Sequence, residues 1–362
     1  MRCISFPSLI FFASLFAFTL AAIGQTNAPP QLRPRPTTPP PGGGNEQIIL
    51  DVQVTDKSGA PIRGLENRDF TLLDANQPQS ILSFQAIEGG TTPDQPVEMV
   101  LVIDSVNTPF RAISFERDQI RKFLLQNAAK LLLPTSLVLF SETGTRMQTA
   151  PSRDGNVLAG LLDQYEGSLR SGNLTNGGHW GAAESVQMSL KALLGILNQE
   201  AQRPGRKLLI WFSRGWPVAG QGGVRTERET QQLFDWITSV SAALQQSRVT
   251  LYSIDALSLR NAGSIRNSYY ETFLKPATSA SRAQPGDLGL PVIAVQSGGR
   301  VFNSSGDITA ALERCVADAG YSYALSFAAP RAAHADEYHP LEVKIDKPWV
   351  TVRTRFGYYA QP

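Results

Sequence analysis

Cysteine and histidine are scarce in this 362-residue chain, which holds two of the first and three of the second. Cys3 lies in an apolar N-terminal stretch that export would remove, so Cys315 is the single thiol expected in the mature chain. A lone thiol excludes an intramolecular disulfide, and stability must come from packing. His179, His334 and His339 are too few and too scattered to supply the ligand spacing of a histidine-rich metal centre. An excess of one charge is missing as well. Lys and Arg number 33 against 31 Asp and Glu, a formal net charge of +2, and the cations are interspersed with acids. Without a basic face, nucleic acid is not an expected partner. Walker-type loops and a GxGxxG after a strand are also lacking, so no nucleotide site is indicated.

Ile4 to Ile23 is an apolar stretch interrupted by Pro7 and Ser8, and Ala22-Ile23-Gly24 offers small residues where a signal peptidase reads. Residues 1–24 are therefore read as a cleaved secretory signal, with a membrane anchor as the alternative, because such a stretch nearly spans a bilayer. No Cys stands at the junction to carry a lipid. The expectation is an exported protein, periplasmic or extracellular, with no membrane span after cleavage. Residues 25–45 carry Pro-Pro, Arg-Pro-Arg-Pro and Gly-Gly-Gly with almost nothing apolar to bury, the composition of an extended tether.

Order begins where Ile48, Leu50, Val52 and Val54 alternate with polar neighbours, the period-two signature of a half-buried strand. Phe70-Thr71-Leu72 and Ile81 to Ile87 follow beyond turn residues, giving a short antiparallel set over 46–90. Val97 to Ile103 is a nearly continuous apolar run, as in a strand covered on both faces. An amphipathic helix is predicted over Ser114 to Leu133, then a strand at Leu137 to Phe140. Val186, Leu190, Leu193, Leu194 and Leu197 mark a helix, and Leu208 to Phe212 the next strand. Thr226 and Glu229 form a capping box that opens a helix bearing Leu233, Trp236, Ile237, Val240 and Leu244, and Val249 to Ile254 reads as a strand. After a loop-rich insertion at Ser279 to Gly289 come Val301-Phe302 and a helix from Asp307 with Ile308, Leu312, Cys315 and Ala319 on one stripe. That stripe makes Cys315 a core thiol and not a reactive one. From Tyr321 the period returns to two.

The fold class expected is α/β: a doubly wound, mostly parallel sheet over 95–319, inserted between two halves of a β-sandwich at 46–90 and 320–360. Each half is too small to bury a core alone. In such a sheet ligands bind beyond the carboxyl ends of the strands, at the point where strand order reverses, which directs attention to Asp104.

Val100-Leu101-Val102-Ile103-Asp104, Thr175 in a Gly-rich loop, and Leu208 to Gly215 resemble a von Willebrand factor A (VWA) domain. Asp56-Lys57-Ser58-Gly59, Arg68-Asp69-Phe70, Gly298-Gly299-Arg300-Val301-Phe302 and Gly357-Tyr358-Tyr359 resemble the VWFA-related exported proteins of acidobacteria. The resemblance implies a Mg²⁺-dependent adhesion site in which a DxSxS segment, a distant threonine and a second aspartate hold the cation. Asp104, Thr108 and Thr175 would be its ligands here. Two donors are missing, because Val106 stands at the first serine and Arg214 at the second aspartate. A guanidinium ~5 Å from a divalent ion costs about 7 kcal/mol at an effective dielectric of ~20. The expectation is therefore no metal, with Arg214 paired to Asp104. Asp255, after the Val249 to Ile254 strand, is read as a rim carboxylate or turn residue, and Trp216 as either an interface anchor or a residue packed back onto the domain.

A hydrolase reading competes. Ser213 follows an apolar strand, and Asp255 with His334 or His339 follows in the order of a catalytic triad, but Trp211 occupies the position where a nucleophile elbow needs glycine. The function expected is a non-enzymatic, protein-binding module with a rim of Asp104, Thr108, Thr175, Arg214, Trp216 and Asp255. A structural envelope protein with a vestigial rim is the runner-up.

Overall fold

The computed structural model describes residues 47–89, 91–92, 95–175, 181–217, 225–255, 268–303 and 306–362. The expected signal, the tether and His179 lie outside them, as does the side chain of Thr175. The described residues all fall within one compact unit, Gly42–Pro362.

In chain order the strands are β1 (Gln47–Thr55), β2 (Phe70–Asp74), β3 (Gln77–Gln79), β4 (Ser83–Glu88), β5 (Thr91–Thr92) and β6 (Gln95–Asp104). Helix α1 (Phe110–Leu124), a single irregular turn α2 (Gln126–Ala129), β7 (Lys130–Ser141), β8 (Gly144–Met147), β9 (Ser152–Asp154) and α3 (Gly155–Thr175) follow. Next come α4 (Ala182–Glu200), β10 (Arg206–Phe212), α5 (Glu227–Gln246), β11 (Val249–Ile254), α6 (Leu290–Gln296), β12 (Val301–Phe302) and α7 (Ile308–Gly320). The chain closes with β13 (Tyr321–Ala328), β14 (Glu337–Ile345), β15 (Thr351–Arg353) and β16 (Gly357–Ala360).

The molecule is mixed α/β, with one mostly parallel sheet and two separate antiparallel ones. In the large sheet the order is β12-β11-β10-β6-β7-β8, and β12 through β7 run parallel. The reason β6 reads as a nearly continuous apolar run is visible in its packing. Val97, Met99, Leu101 and Ile103 face a core shared with α1, α3 and α7, while Val100 and Val102 face a core shared with α4, α5 and α6. Each such side chain contributes about 1.5–3 kcal/mol by burial. Chain order reverses beside β6, because β7 lies on one side of it and β10 on the other. The carboxyl ends of β6 and β10 therefore flank the switch point of the sheet.

Strands from both ends of the chain make the antiparallel sheets, β15-β1-β13-β4 and β16-β14-β2-β3. The alternation of Ile48, Leu50, Val52 and Val54 turns these residues into a core shared with Phe70, Tyr323, Phe327 and Tyr358. The capping box holds, with Glu229 N–H donating to Thr226 Oγ1 at 3.3 Å and Thr226 N–H to Glu229 Oε2 at 2.8 Å. Cys315 is fully buried, and burial pushes its thiol well above the ordinary range.

Two local expectations are corrected, and two elements that the periodicity did not indicate are added. Helix α1 stops at Leu124, not Leu133, because Asn127, Ala128 and Ala129 take positive φ and hand the chain directly to β7 at Lys130. Thr175 ends helix α3 instead of lying in a loop. β8 turns back on β7 as a hairpin, and α6 forms from Leu290, with Pro291 in its first turn, where a missing N–H costs nothing.

Asp318 on α7 joins the large sheet to the sandwich. Its carboxylate accepts from Tyr252 Oη at 3.1 Å and Arg300 Nε at 3.0 Å, and from Arg353 Nη2 on β15. Burial opposes the charge, but Arg353 and Arg300 together hold Asp318 below the ordinary carboxylate range. A carboxyl depressed on folding stabilises above its unfolded pKa, and this contribution is lost as pH falls through the folded value. Asp318→Ala strands a buried guanidinium and is expected to cost about 3–5 kcal/mol in urea unfolding at pH 7, with a smaller cost near pH 3.

Candidate functional site

Asp104 ends β6 with 0% of its surface exposed, and four N–H groups converge on its carboxylate. The loop after β6 folds over it, so that Oδ1 accepts from Val106 N at 3.0 Å and Asn107 N at 2.9 Å. Oδ2 accepts from Asn107 Nδ2 at 2.8 Å and from the indole Nε1 of Trp211 on β10 at 2.9 Å. A carboxylate has about four lone-pair sites, and these bonds fill them. Burial raises the Asp104 carboxyl, while the donors from Asn107, Trp211 and Val106 pull it back. Asn107 Nδ2 also donates to Ser189 Oγ at 2.8 Å, which ties the loop to α4.

This saturation decides the fit of a divalent cation. Asp104 has no lone pair to offer without first losing an N–H donor. Thr108 is buried with its Oγ1 unpartnered, a single hydroxyl against the near-octahedral oxygen set that Mg²⁺ requires. Val106 presents no oxygen on its side chain. Among the described residues, no group of three or more His, Cys, Asp or Glu is arranged to hold a metal. The described residues do not fit the implied ion.

The expected Asp104–Arg214 pair is not formed. Arg214 is exposed, and no ion pair joins it to Asp104, which neutral donors already satisfy. Moving a guanidinium into this buried position would cost several kcal/mol without a free carboxylate lone pair to receive it. Gly215 follows at φ +90°, a left-handed conformation that turns the chain sharply after Arg214. Trp216 is 5% exposed and packs edge-on against Trp211 at 5.4 Å between ring centroids, so it belongs to the wall beneath the rim and not to a contact surface. Burying ~150–250 Å² of indole at ~25 cal/mol/Å² is worth about 4–6 kcal/mol. That exceeds the ~1–3 kcal/mol lost by its unpartnered N–H. Asp255 follows β11 half-buried, its N–H donating to Phe302 O at 2.9 Å.

Among the described residues, no histidine contacts Ser213. It is fully buried, its Oγ accepts from Gly215 N at 3.2 Å, and its N–H donates to Ile254 O at 3.0 Å. His339 instead holds Asp74 at 2.7 Å within the sandwich, and His334 turns to the neighbouring Ala335 carbonyl at 3.0 Å.

Glu116 was not singled out in the sequence, although it interrupts the apolar stripe Ala112, Ile113, Ile120 and Leu124 of α1. It is 0% exposed and neither carboxyl oxygen has a hydrogen-bond partner. Burial, then the charges of Asp104 and Asp255, push its carboxyl well above the ordinary range. Burial beside two carboxylates thus disfavours the charged form of Glu116 behind the rim.

No family model matches the chain, and no curated protein matches it. Among solved structures it is similar to the human COPII-coat protein Sec24c, at 11% identity and TM-score 0.34, over 75% of this chain and 44% of that one. It is also similar to the pilus adhesin SpaC from Lactobacillus rhamnosus GG, at 10% identity and TM-score 0.36, over 86% of this chain and 48% of that one. The VWA domain of SpRpn10 aligns at 14% identity and TM-score 0.20, over 44% and 74% of the two chains. The chain spans about half the length of the coat protein and the adhesin, and at these scores none of the three assigns it a function.

A carboxyl raised on folding stabilises below its unfolded pKa, and that contribution is lost as pH rises toward the folded value. Glu116→Gln removes the loss. Measured by urea unfolding, the variant is expected to gain stability relative to the parent as pH goes from 5 to 8, whereas parallel pH curves would contradict the assignment.

Proposed function

We propose that this chain is an exported, non-enzymatic binding module of VWA type whose adhesion site has lost its metal. The observation that carries the reading is the Asp104 carboxylate, filled by four N–H donors at the switch point of the parallel sheet. In place of a cation the rim offers Arg214, a fixed and exposed positive charge. A guanidinium binds carboxylates in a planar, bidentate manner, so the partner expected is a protein segment bearing Asp or Glu. Val106 and Arg214 support the degenerate site, the N-terminal apolar stretch supports export, and the buried Ser213, without a histidine beside it among the described residues, speaks against hydrolysis.

Burial of Trp216 favours a second reading, a structural envelope protein whose rim is vestigial. Affinity capture from envelope extracts separates the two. On the binding reading, capture is the same in EDTA and in Mg²⁺, and Arg214→Glu weakens it about tenfold or more, the loss of at least one charge-assisted contact. Capture indifferent to Arg214→Glu supports the structural reading, and capture abolished by EDTA contradicts the loss of the metal. Ester turnover that disappears in Ser213→Ala would contradict the non-enzymatic half of the proposal.

A further inference from the structure

A second polar cleft lies where the sandwich meets the large sheet, away from the residues of the rim. Its volume is about 280 Å³, and its lining includes Lys57, Arg300 and Arg353 with the hydroxyl-bearing Thr55, Ser58 and Thr351. Two carboxylates stand near these three cations, and neither balances them. Asp318 is shared between two guanidiniums, Arg300 Nε at 3.0 Å and Arg353 Nη2, which leaves one positive charge over. Asp56 turns inward to its own loop, its Oδ1 accepting from Ser58 N at 2.8 Å, Ser58 Oγ at 2.6 Å and Ala60 N at 2.9 Å.

Lys57 has no carboxylate partner among the described residues. Its ammonium lies 3.4 Å from the ring centroid of Trp349, which is 71% exposed and held at φ +67°. For a bulky residue that backbone conformation is an outlier of the kind that marks ligand clamps. Arg300 is 39% exposed, anchored at one edge by Asp318 and open to the cleft along the rest of its side chain. An anchored guanidinium, a lysine parked on an aromatic face and three hydroxyls in one concavity form a preset receptor for a small anion.

We propose that this cleft binds an anionic group, a carboxylate or a phosphate, between Lys57 and Arg300. Binding draws Lys57 off the Trp349 ring. It also bridges β1 and β15 of the sandwich to Arg300 at the head of β12, so the ligand clamps the two parts of the fold together.

The full chain, titrated with inorganic phosphate and separately with succinate against chloride at constant ionic strength, tests this by indole fluorescence and thermal unfolding. Saturable changes in Trp349 emission, absent in Trp349→Phe, are expected with a rise in Tm that follows ligand concentration. The tighter of phosphate and succinate identifies the group recognised. Lys57→Ala, an exposed substitution that leaves the fold intact, is expected to weaken binding about tenfold. A response no greater than that to chloride, or one unchanged in Lys57→Ala, overturns the proposal.

Discussion

A buried carboxylate must be given hydrogen bonds or lose its charge, and the way Asp104 meets that demand organises the whole rim. Two of its donors come from the loop that follows β6, one from the Asn107 side chain and one from Trp211, a residue 107 positions away on the neighbouring strand. The loop is thereby wrapped over the end of β6, and β6 and β10 are tied side chain to side chain at the switch point. Asn107 extends the network to Ser189 and, through it, to the Ser185 carbonyl of α4. Trp211 in turn seats Trp216 and Phe140 around it, with ring centroids 5.4 and 5.9 Å away. The outcome is a rigid rim with its negative charge sealed inside and the Arg214 charge outside.

Charge is handled differently at the two ends of the structure. At the rim, neutral N–H dipoles meet Asp104, and burial beside two carboxylates disfavours charge on Glu116. At the seam, Asp318 is met by two arginines, and the surplus positive charge remains. Both solutions avoid an uncompensated buried ion, which would cost several kcal/mol. The second leaves its surplus positive charge inside a cleft, whereas at the rim the positive charge sits outside, on Arg214.

Most of the framework was legible because it rests on local periodicity. The nearly continuous run from Val97 to Ile103, the Thr226–Glu229 pair and the Cys315 stripe each state their environment within a few residues. The sandwich was legible through a size argument, since neither end of the chain can bury a core alone, and β1 does pair with β13. What the sequence hid was long-range or conformational. Nothing near Trp211 indicates that its indole N–H reaches Asp104, and the left-handed turn at Asn127 to Ala129 has no glycine to announce it. Arg214 was misplaced for a related reason: opposite charges in matching motif positions imply a pair only if the acid has unfilled lone pairs. Glu116 was visible as an acid on an apolar stripe, and the two carboxylates that make it consequential, Asp104 and Asp255, come together with it only in the folded sheet.

The central claim is that N–H donors, and not a cation, satisfy Asp104. It is tested most directly by the indole Nε1–H resonance of Trp211 in ¹⁵N–¹H spectra, assigned by its absence in Trp211→Phe. A resonance strongly protected from solvent exchange, and at the same position in EDTA and in millimolar Mg²⁺ or Mn²⁺-free Ca²⁺ buffers, is the result predicted. A saturable shift or loss of protection on adding a divalent ion would show the metal displacing the indole from Asp104, and would contradict the account.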